Sequence, residues 1–396
     1  MGIFSQSPFT PRTIKEFSMP EKIYFCNFRT KMYGAPLPDK LHNLMAKAGF
    51  ETLDLRDKFV AVKMHFGELG NLAFLRPNYA RVVVDFVRQR GGKPFLTDCN
   101  TLYPGYRKNA LEHLQTADLN GFTPLTAGCH VIIADGLKGN DEVELPVPNG
   151  IHFKTAKIGR AISDADVIIT LNHFKGHELT GMGGAIKNLA MGCASRAGKM
   201  AMHSDGKAEL DRDLCIGCKM CFKQCANNAL HFDDAARKMS LDRDACAGCG
   251  RCLSVCPVDA IHASMAKSTE PLDEKMAEYA AAVVNGKPNF HISLICDVSP
   301  NCDCHSENDA PIIPDIGMLA GFDPVALDVA CCDLCNKMPR MQGSWMDECG
   351  HGNDVFDDAH GNTRWRVTVD HALKIGFGTD QYELIDLDTR TSPPRK

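Results

Sequence analysis

The chain has 396 residues, enough for two or three domains with large buried cores, and it is 44% hydrophobic and 23% charged, as globular proteins are. Its net charge of −5 disfavours a nucleic-acid-binding protein, which usually carries a basic surplus. The sequence shows no recognisable secretory signal and no apolar run long enough to cross a bilayer, so we expect a cytoplasmic protein without a membrane span. In that reducing compartment the 19 cysteines are expected to be metal ligands or free thiols.

Residues 1–21 lack a clear period, and we interpret them as an N-terminal extension, in which residues 1–18 precede an alternative start at Met19. From Lys22 onward, short apolar runs alternate with amphipathic stretches, the order expected of strands and crossover helices. The predicted strands are Ile23–Phe28, Phe59–His65, Pro94–Thr97, Val131–Ala134, Asp166–Leu171, His291–Cys296 and Tyr382–Leu387. The predicted helices are Pro38–Ala48, Asn78–Arg90, Arg107–Leu119, Thr155–Ile162, Ala185–Met191, Leu272–Val284, Pro324–Cys335 and Trp365–Ile375.

This order of elements predicts an α/β fold with a mostly parallel sheet and flanking helices, interrupted by a small cysteine-rich domain. We expect the α/β domain to consist of residues 22–208 and 267–340, with the interrupting domain at 209–266 and a C-terminal segment at 341–396.

Two runs of cysteines in the interrupting domain share the spacing C-x2-C-x2-C-x3-C, which bacterial ferredoxins use to bind [4Fe–4S] clusters. Three thiolates of one run reach three corners of a cubane, and the fourth ligand comes from the other run. Zinc is the alternative, but tetrahedral zinc sites usually pair two separated C-x2-C units. We therefore predict two [4Fe–4S] clusters, one held by Cys215, Cys218, Cys221 and Cys256, the other by Cys246, Cys249, Cys252 and Cys225.

Polar residues follow the predicted strands at their carboxyl ends, where open α/β sheets bind ligands. His65, Asp98, Asp135, His173 and Asp297 occupy such positions. Each alone is more simply a turn or cap residue, but five strand ends together predict a shared cleft. The catalytic candidates in this cleft are His65, His173, Lys175, His177 and Lys187.

A glycine-rich stretch follows the fifth predicted strand and should not form a stable helix, so His173 and His177 are predicted to lie on a loop. The pair Gly183-Gly184 then opens a helix whose first N–H groups can bind a phosphate or a nucleotide-like cofactor. Tight packing is the alternative reason for these glycines. The cofactor-binding candidates are Gly183, Gly184, Lys187 and Asn188. Cys302 and Cys304 are further metal-ligand candidates, with a thiol-rich loop as the alternative.

Several of these motifs resemble the domain of unknown function 362 family, whose members often contain an inserted two-cluster ferredoxin. The resemblance extends from Lys22 to about Met338, and it implies a fold and cofactors rather than a particular reaction. The matching segments include residues 65–68, 97–103, 173–177, 183–192, 302–304 and 315–325.

The order His177, Lys187, His203 behind a Gly-Gly pair also resembles, more remotely, the lactate racemase family. In that family two histidines ligate nickel and the lysine anchors a pincer nucleotide cofactor, so the resemblance implies that His177 and His203 are metal ligands and that Lys187 is the anchor. The proline-glycine that tends to follow the lysine in that family is replaced here by Met191-Gly192.

We therefore expect an iron–sulfur oxidoreductase that exchanges electrons with a soluble low-potential donor or acceptor and binds a small anionic substrate or cofactor in its cleft. One alternative is an electron-transfer or activation partner with no substrate of its own. A second is redox-neutral, metal-dependent chemistry such as isomerisation.

Overall fold

The computed structural model describes residues 19–102, 105–203, 207–263 and 270–388. Most of the predicted N-terminal extension, residues 1–18, lies outside the described residues. The same holds for residues 264–266 at the end of the predicted cysteine-rich domain and for residues 389–396.

The described residues form sixteen strands and eleven α-helices. The strands are β1 (Glu21–Asn27), β2 (Phe59–Lys63), β3 (Lys93–Asp98), β4 (Val131–Ile133), β5 (Glu142–Pro146), β6 (Thr155–Gly159), β7 (Val167–His173), β8 (Lys175–His177), β9 (Gly181–Gly183), β10 (Ala208–Leu210), β11 (Leu230–Asp233), β12 (Lys238–Leu241), β13 (Ile261–Ala263), β14 (Asn289–Ile295), β15 (Gly317–Gly321) and β16 (Tyr382–Asp386). The helices are α1 (Leu37–Lys47), α2 (Pro77–Gln89), α3 (Ala110–Leu119), α4 (Pro124–Ala127), α5 (Arg160–Asp164), α6 (Ala185–Cys193), α7 (Arg196–His203), α8 (Glu270–Val284), α9 (Pro324–Cys335), α10 (Val355–Ala359) and α11 (Arg366–Lys374).

Eight strands form the central sheet in the order β16-β1-β15-β14-β7-β2-β3-β4. Among them, β15 alone runs antiparallel to its two neighbours, β1 and β14, and the remaining pairs are parallel. The predicted α/β class with a mostly parallel sheet is therefore confirmed. Because β2, β3, β7 and β14 are mutually parallel, their carboxyl ends meet at one edge of the sheet.

Helices cover both faces of the sheet, and each face has its own apolar core. Helices α1 and α2 pack on one face, and α6, α8, α9 and α11 pack on the other. Every residue of β7 is buried, and its side chains alternate between the cores: Val167, Ile169 and Leu171 join the first, and Ile168 joins the second. This is the near-continuous apolar pattern of a parallel strand buried on both sides.

Several helix ends follow from local chemistry. In α9, the carboxylate of Asp323 accepts hydrogen bonds from the N–H groups of Val325 and Ala326 at 2.8 and 3.0 Å, and Pro324 takes the first helical position. In α3, the side chain of Asn109 caps the N–H of Glu112 at 3.1 Å. These caps satisfy N–H groups that have no acceptor within the helix.

Two predictions of local structure were wrong. The segment predicted as the helix Thr155–Ile162 instead begins with strand β6, which forms an antiparallel hairpin with β5, and α5 starts only at Arg160. Ala156 and Ile158 are buried while Thr155 is exposed, a period of two that favours a strand. Of the two histidines predicted to lie on a loop, His173 is the last residue of β7, and His177 is the last residue of β8, which forms a small antiparallel hairpin with β9.

Residues 208–263 form a compact unit between α7 and α8, in which β10 pairs with β13 and β11 pairs with β12. The apolar core of the unit also takes in Leu102 and Met200, which lie outside it in the sequence. Its two cysteine runs adopt the same local backbone: Gly217 and Gly248 have φ of +67° and +68°, and each run ends in a short 3-10 helix. A residue with a side chain would be strained at these positive φ values, which explains the glycine in each run.

Within the described part of the chain, no helix combines the length and apolar character needed to cross a membrane.

Candidate active site and metal centre

A cavity opens at the carboxyl edge of the sheet, where strands β2, β3 and β7 end and where the segment that follows β14 begins. Its walls also include the β8–β9 hairpin and helices α6, α7 and α8. The polar and thiol side chains that line it are Lys63, His65, Asp98, Cys99, Thr101, Arg107, Asn172, His173, Lys175, His177, Thr180, Lys187, Asn188, Lys199, His203, Cys302 and Cys304.

A network of buried charges forms one wall of the cavity. Lys63 Nζ lies 3.0 Å from Asp98 Oδ1, and Arg107 Nε lies 2.9 Å from Glu68 Oε2. Arg107 also approaches Asp98, with 3.7 Å between Nη1 and Oδ2, which links the two pairs. Although burial alone would raise it, the charges of Lys63 and Arg107 hold the pKa of Asp98 well below its ordinary value. Two carboxylates thus balance two cations in a buried site.

Arg107 has donor capacity left over. Its side chain is 1% exposed and lines the cavity, and among the described residues its Nη2 atom has no hydrogen-bond partner. The neighbouring imidazole of His65 is neutral, because burial and then the charge of Arg107 lower the pKa of His65 to about 3. Its Nδ1 accepts the N–H of Gly67 at 2.9 Å. The wall therefore offers an anion a guanidinium but no imidazolium from His65.

His173 positions the loop after β14 rather than presenting a free nitrogen to the cavity. Its Nδ1 lies 2.8 Å from the carboxylate of Asp303, and its Nε2 lies 2.7 Å from the carbonyl oxygen of Cys296. Burial opposes ionisation of Asp303, but His173 and Lys175 outweigh it and lower the pKa of Asp303 to about 2. With both nitrogens engaged, His173 fixes Asp303 and hence the cysteines on either side of it.

Two thiols and an imidazole meet at the opposite side of the cavity. One ligand atom each from His177, Cys302 and Cys304 lies within 4.8 Å of the others. Lys187 Nζ lies 3.4 Å from Cys302 Sγ. The hydrogen bond with Cys304, followed by the nearby ammonium groups of Lys187 and Lys175, lowers the pKa of Cys302 well below its ordinary value, while that of Cys304 is raised. Such a donor set suits a metal ion.

His203 lies beside this group, on α7. Burial, followed by the charges of Lys187 and His177, lowers the pKa of His203 to about 3, so its imidazole is neutral. The structure thus brings His177, Lys187 and His203 into one cavity. Their roles as nickel ligands and cofactor anchor remain predictions.

The N-terminus of α6 already has an internal partner. The N–H groups of Ala185 and Ile186 donate to the carboxylate of Asp328 at 2.7 and 2.9 Å. A Cβ at Gly184 would lie 2.2 Å from Asp328 Oδ1, which explains the glycine. Burial raises the pKa of Asp328 to about 7. A phosphate at this terminus, as predicted for Gly183 and Gly184, would have to displace that carboxylate.

The cysteine runs form a second concentration of thiols. Cys225, Cys246, Cys249 and Cys252 line a common cavity. Burial, followed by the nearby thiols of Cys256, Cys218 and Cys215, raises the pKa of Cys221 to about 11. Two sulfurs accept backbone N–H groups: Cys225 Sγ from Ala229 at 3.3 Å and Cys215 Sγ from Met239 at 3.4 Å. The thiols therefore gather in two sets, each with members from both runs.

Comparison with protein families identifies the chain. The sequence profile described as "Domain of unknown function (DUF362)" matches residues 60–333, which include every cavity residue and both cysteine runs. The chain belongs to the DUF362 family. No curated protein matches it in sequence.

Two solved structures resemble parts of this DUF362 protein. One is the lactate racemase apoprotein from Thermoanaerobacterium thermosaccharolyticum, at 12% identity and a TM-score of 0.36, covering 71% of this chain and 53% of that one. The other is a crystal structure of a protein from Thermotoga maritima, at 11% identity and a TM-score of 0.33, covering 65% and 49%. The chain spans about half the length of these two structures.

The cavity of this DUF362 protein contains all the catalytic and cofactor-binding candidates predicted from the sequence. Two of the polar strand-end residues, Asp135 and Asp297, lie outside it. The carboxylate of Asp135 accepts a hydrogen bond from the side-chain amide of Asn100 at 2.8 Å. The backbone N–H of Asp297 donates to the carboxylate of Asp315 at 2.8 Å. Sequence reasoning missed Lys63 and Arg107. Lys63 gave a signal, since it interrupts an apolar strand where only a paired charge is tolerated.

Proposed function

We propose that this DUF362 protein holds two [4Fe–4S] clusters in residues 208–263 and exchanges electrons between them and a substrate or cofactor in the strand-end cavity. The observation that carries the proposal is the cavity lined jointly by Cys225, Cys246, Cys249 and Cys252. These are the four thiols that the ferredoxin spacing assigns to one cluster, with one of them drawn from the other run.

The remaining four thiols support the same arrangement. Cys221 has Cys256, Cys218 and Cys215 as its electrostatic neighbours, and Cys256 comes from the second run. Collected thiols gain little from one another without a cation, because each thiolate disfavours ionisation of the next. The backbone N–H groups directed at Cys215 and Cys225 are of the kind that tunes cluster potentials.

The position of the cysteine unit supports electron transfer to the cavity. Leu102 and Met200 belong to the same apolar core as Cys221 and Cys256, and Leu102 also lines the cavity. Lys108 Nζ donates to the carbonyl oxygen of Cys256 at 3.3 Å. The proposed cluster that includes Cys256 would therefore lie close to the cavity wall.

The cavity favours a small anionic substrate. Lys175 and Lys187 lie on the thiol side, and Arg107 offers its Nη2 atom from the opposite wall. A carboxylate bound between them would gain charge-assisted hydrogen bonds in a water-poor site.

Anaerobic purification followed by iron and sulfide analysis tests the clusters. The wild type is expected to contain two clusters' worth of iron and acid-labile sulfide, and Cys249→Ser is expected to lose about half of both. Cys349→Ser is the matched control, because Cys349 lies outside both cysteine runs. Protein that stays colourless and free of labile sulfide after reconstitution would refute the proposal.

Ligand screening separates the oxidoreductase from a pure electron carrier. The wild type is expected to be stabilised thermally by a small carboxylate, and Lys187→Met is expected to lose that shift. If no carboxylate or nucleotide shifts the melting temperature, the result favours an electron carrier with no substrate of its own. If turnover of a substrate survives loss of the clusters, the reaction in the cavity is redox-neutral.

A further inference from the structure

The structure assigns a second, mononuclear metal site to the cavity: we infer that His177, Cys302 and Cys304 bind one soft or borderline divalent cation, such as Zn²⁺, and leave a coordination position open. This site uses none of the eight cysteines of the two runs, so it does not depend on the proposed clusters.

The ligand atoms are already gathered. One atom each from His177, Cys302 and Cys304 lies within 4.8 Å of the others, and the three side chains line the cavity. His177 and Cys302 are each 2% exposed. Two thiolates and an imidazole form a donor set that prefers zinc and neighbouring transition metals to magnesium or calcium.

The hairpin and the loop that supply these ligands are held together by backbone contacts. The N–H of Gly176 donates to the carbonyl oxygen of Ser299 at 2.9 Å, directly before His177. A Cβ at Gly176 would lie 2.2 Å from the carbonyl oxygen of Pro300, so only glycine permits this approach. The close contact between the two segments places the imidazole against the thiols.

The loop itself is fixed from both sides. Asp303, between the two cysteines, bonds to His173 through its carboxylate, and its carbonyl oxygen accepts the N–H of Glu68 at 2.9 Å. The N–H of Cys302 donates to Glu178 Oε2 at 3.3 Å. Ligands held in place by their surroundings lose little conformational entropy when the ion binds.

Both ring nitrogens of His177 have polar neighbours. Its Nε2 lies 3.5 Å from the carboxylate of Glu178, a carboxylate partner of the kind that orients metal-binding imidazoles. Its Nδ1 accepts the N–H groups of Leu179 and Thr180 at 3.1 and 3.2 Å, so a lone pair is present. To bind the ion, the imidazole must exchange one of these long contacts for a bond from that ring nitrogen to the metal.

Three protein ligands are the number typical of catalytic zinc sites, in which the fourth position takes water or substrate. Because His177, Cys302 and Cys304 line the cavity together with Lys175 and Lys187, the proposal assigns the open position to the cavity side. A divalent ion with two thiolates is formally neutral, so the two ammonium groups give the open position a positive surrounding that suits an anionic ligand.

Cobalt titration tests the site. The full chain is purified without oxygen, treated with a chelator that leaves the clusters intact, and titrated with Co²⁺, whose thiolate complexes absorb strongly. Iron and sulfide are determined on the same samples. The wild type and Cys349→Ser are expected to bind one equivalent of cobalt more than Cys302→Ser or Cys304→Ser. Zn²⁺ should displace this equivalent, Mg²⁺ should not, and His177→Gln should weaken it at least about tenfold.

Equal cobalt binding by the wild type and Cys302→Ser would overturn the assignment. If the variants fail to fold, alkylation of the wild type decides: Zn²⁺ should slow the modification of Cys302 and Cys304 and leave that of Cys349 unchanged, and no protection refutes the site. If the protein contains no iron but still binds the equivalent of cobalt, the proposed clusters are refuted and the mononuclear site is not.

Discussion

Replacing Asp98 with asparagine is expected to lower the free energy of unfolding by about 3–5 kcal/mol. Asp98 and Lys63 are 3% and 1% exposed, and Lys63 Nζ lies 3.0 Å from Asp98 Oδ1. Without the carboxylate charge, the buried ammonium of Lys63 and the guanidinium of Arg107 face a single counter-charge, Glu68. The large cost arises because a charge that has lost its partner remains buried, not because the ion pair itself is strong.

The double variant Lys63→Met/Asp98→Asn separates these two causes. It removes one charge of each sign and leaves the pair of Arg107 with Glu68 intact. If the penalty comes from an unpaired buried charge, the double variant should be more stable than Asp98→Asn alone. A coupling energy of about 1–3 kcal/mol is expected between the two positions.

Anaerobic urea unfolding followed by circular dichroism measures these differences. The matched control is Asp85→Asn, because Arg81 and Asp85 form an ion pair at 2.7 Å with both side chains more than 40% exposed. Its loss should cost less than about 1 kcal/mol. The reasoning fails if Asp98→Asn is no more costly than the control, or if the effects of Lys63→Met and Asp98→Asn simply add.

Three further variants test other parts of the structure. Gly176→Ala should lower the melting temperature and the cobalt affinity, because its Cβ would meet backbone at 2.2 Å, whereas Gly361→Ala, with no atom within 4 Å of the added Cβ, should change neither. Asp273→Asn should flatten the pH dependence of stability: burial raises the pKa of Asp273 to about 8 from 3.8, so the folded wild type keeps a proton that the unfolded chain releases. The wild type should therefore lose about 1.4 kcal/mol per pH unit between about pH 5 and 7 relative to the variant, and parallel curves would contradict this. Arg196→Gln should lower the potential of the proposed cluster nearest to it by an amount on the order of tens of millivolts. The Cγ and Cδ atoms of Arg196 lie against Gly250 in the second cysteine run, and its buried guanidinium interacts electrostatically with Cys252 and Cys249, so its charge should favour the reduced state of a cluster there. An unchanged potential in an EPR-monitored titration, or a potential that Arg196→Lys does not restore, would exclude this role.

Much of the sheet could be predicted from the sequence because its strands are buried on both faces. Strands β2, β3, β7 and β14 are apolar runs with helical patterns between them, and those patterns are local. Strand β15 escaped prediction: it has three apolar residues between two glycines, and Gly317 is needed because β1 passes within 2.3 Å of its Cβ position. A requirement set by a neighbouring strand leaves no local signal.

The candidate site divides in the same way. Parallel strands place the polar residues that follow them at one edge of the sheet. The proximity of His65, His173 and Lys175 could therefore be predicted from the sequence. The contact of His177 with Cys302 could not be predicted, because it depends on the hairpin of β8 and β9 packing against a loop that is distant in the chain. Long-range packing, rather than residue type, decides which histidine meets the thiols.

The connections of the cysteine unit argue that its position beside the cavity is built into the fold. In the sequence, the unit lies between α7 and α8, and both helices line the cavity. The lining residues are Lys199 and His203 on α7 and Leu272 and Met276 on α8. Direct contacts also hold the unit there: Lys108 Nζ lies 3.0 Å from Asp259 Oδ1, and Lys138 Nζ donates to Gln224 Oε1 at 3.0 Å. The point of insertion therefore supports the proposed electron exchange with the cavity over the alternative of a tethered carrier for another protein.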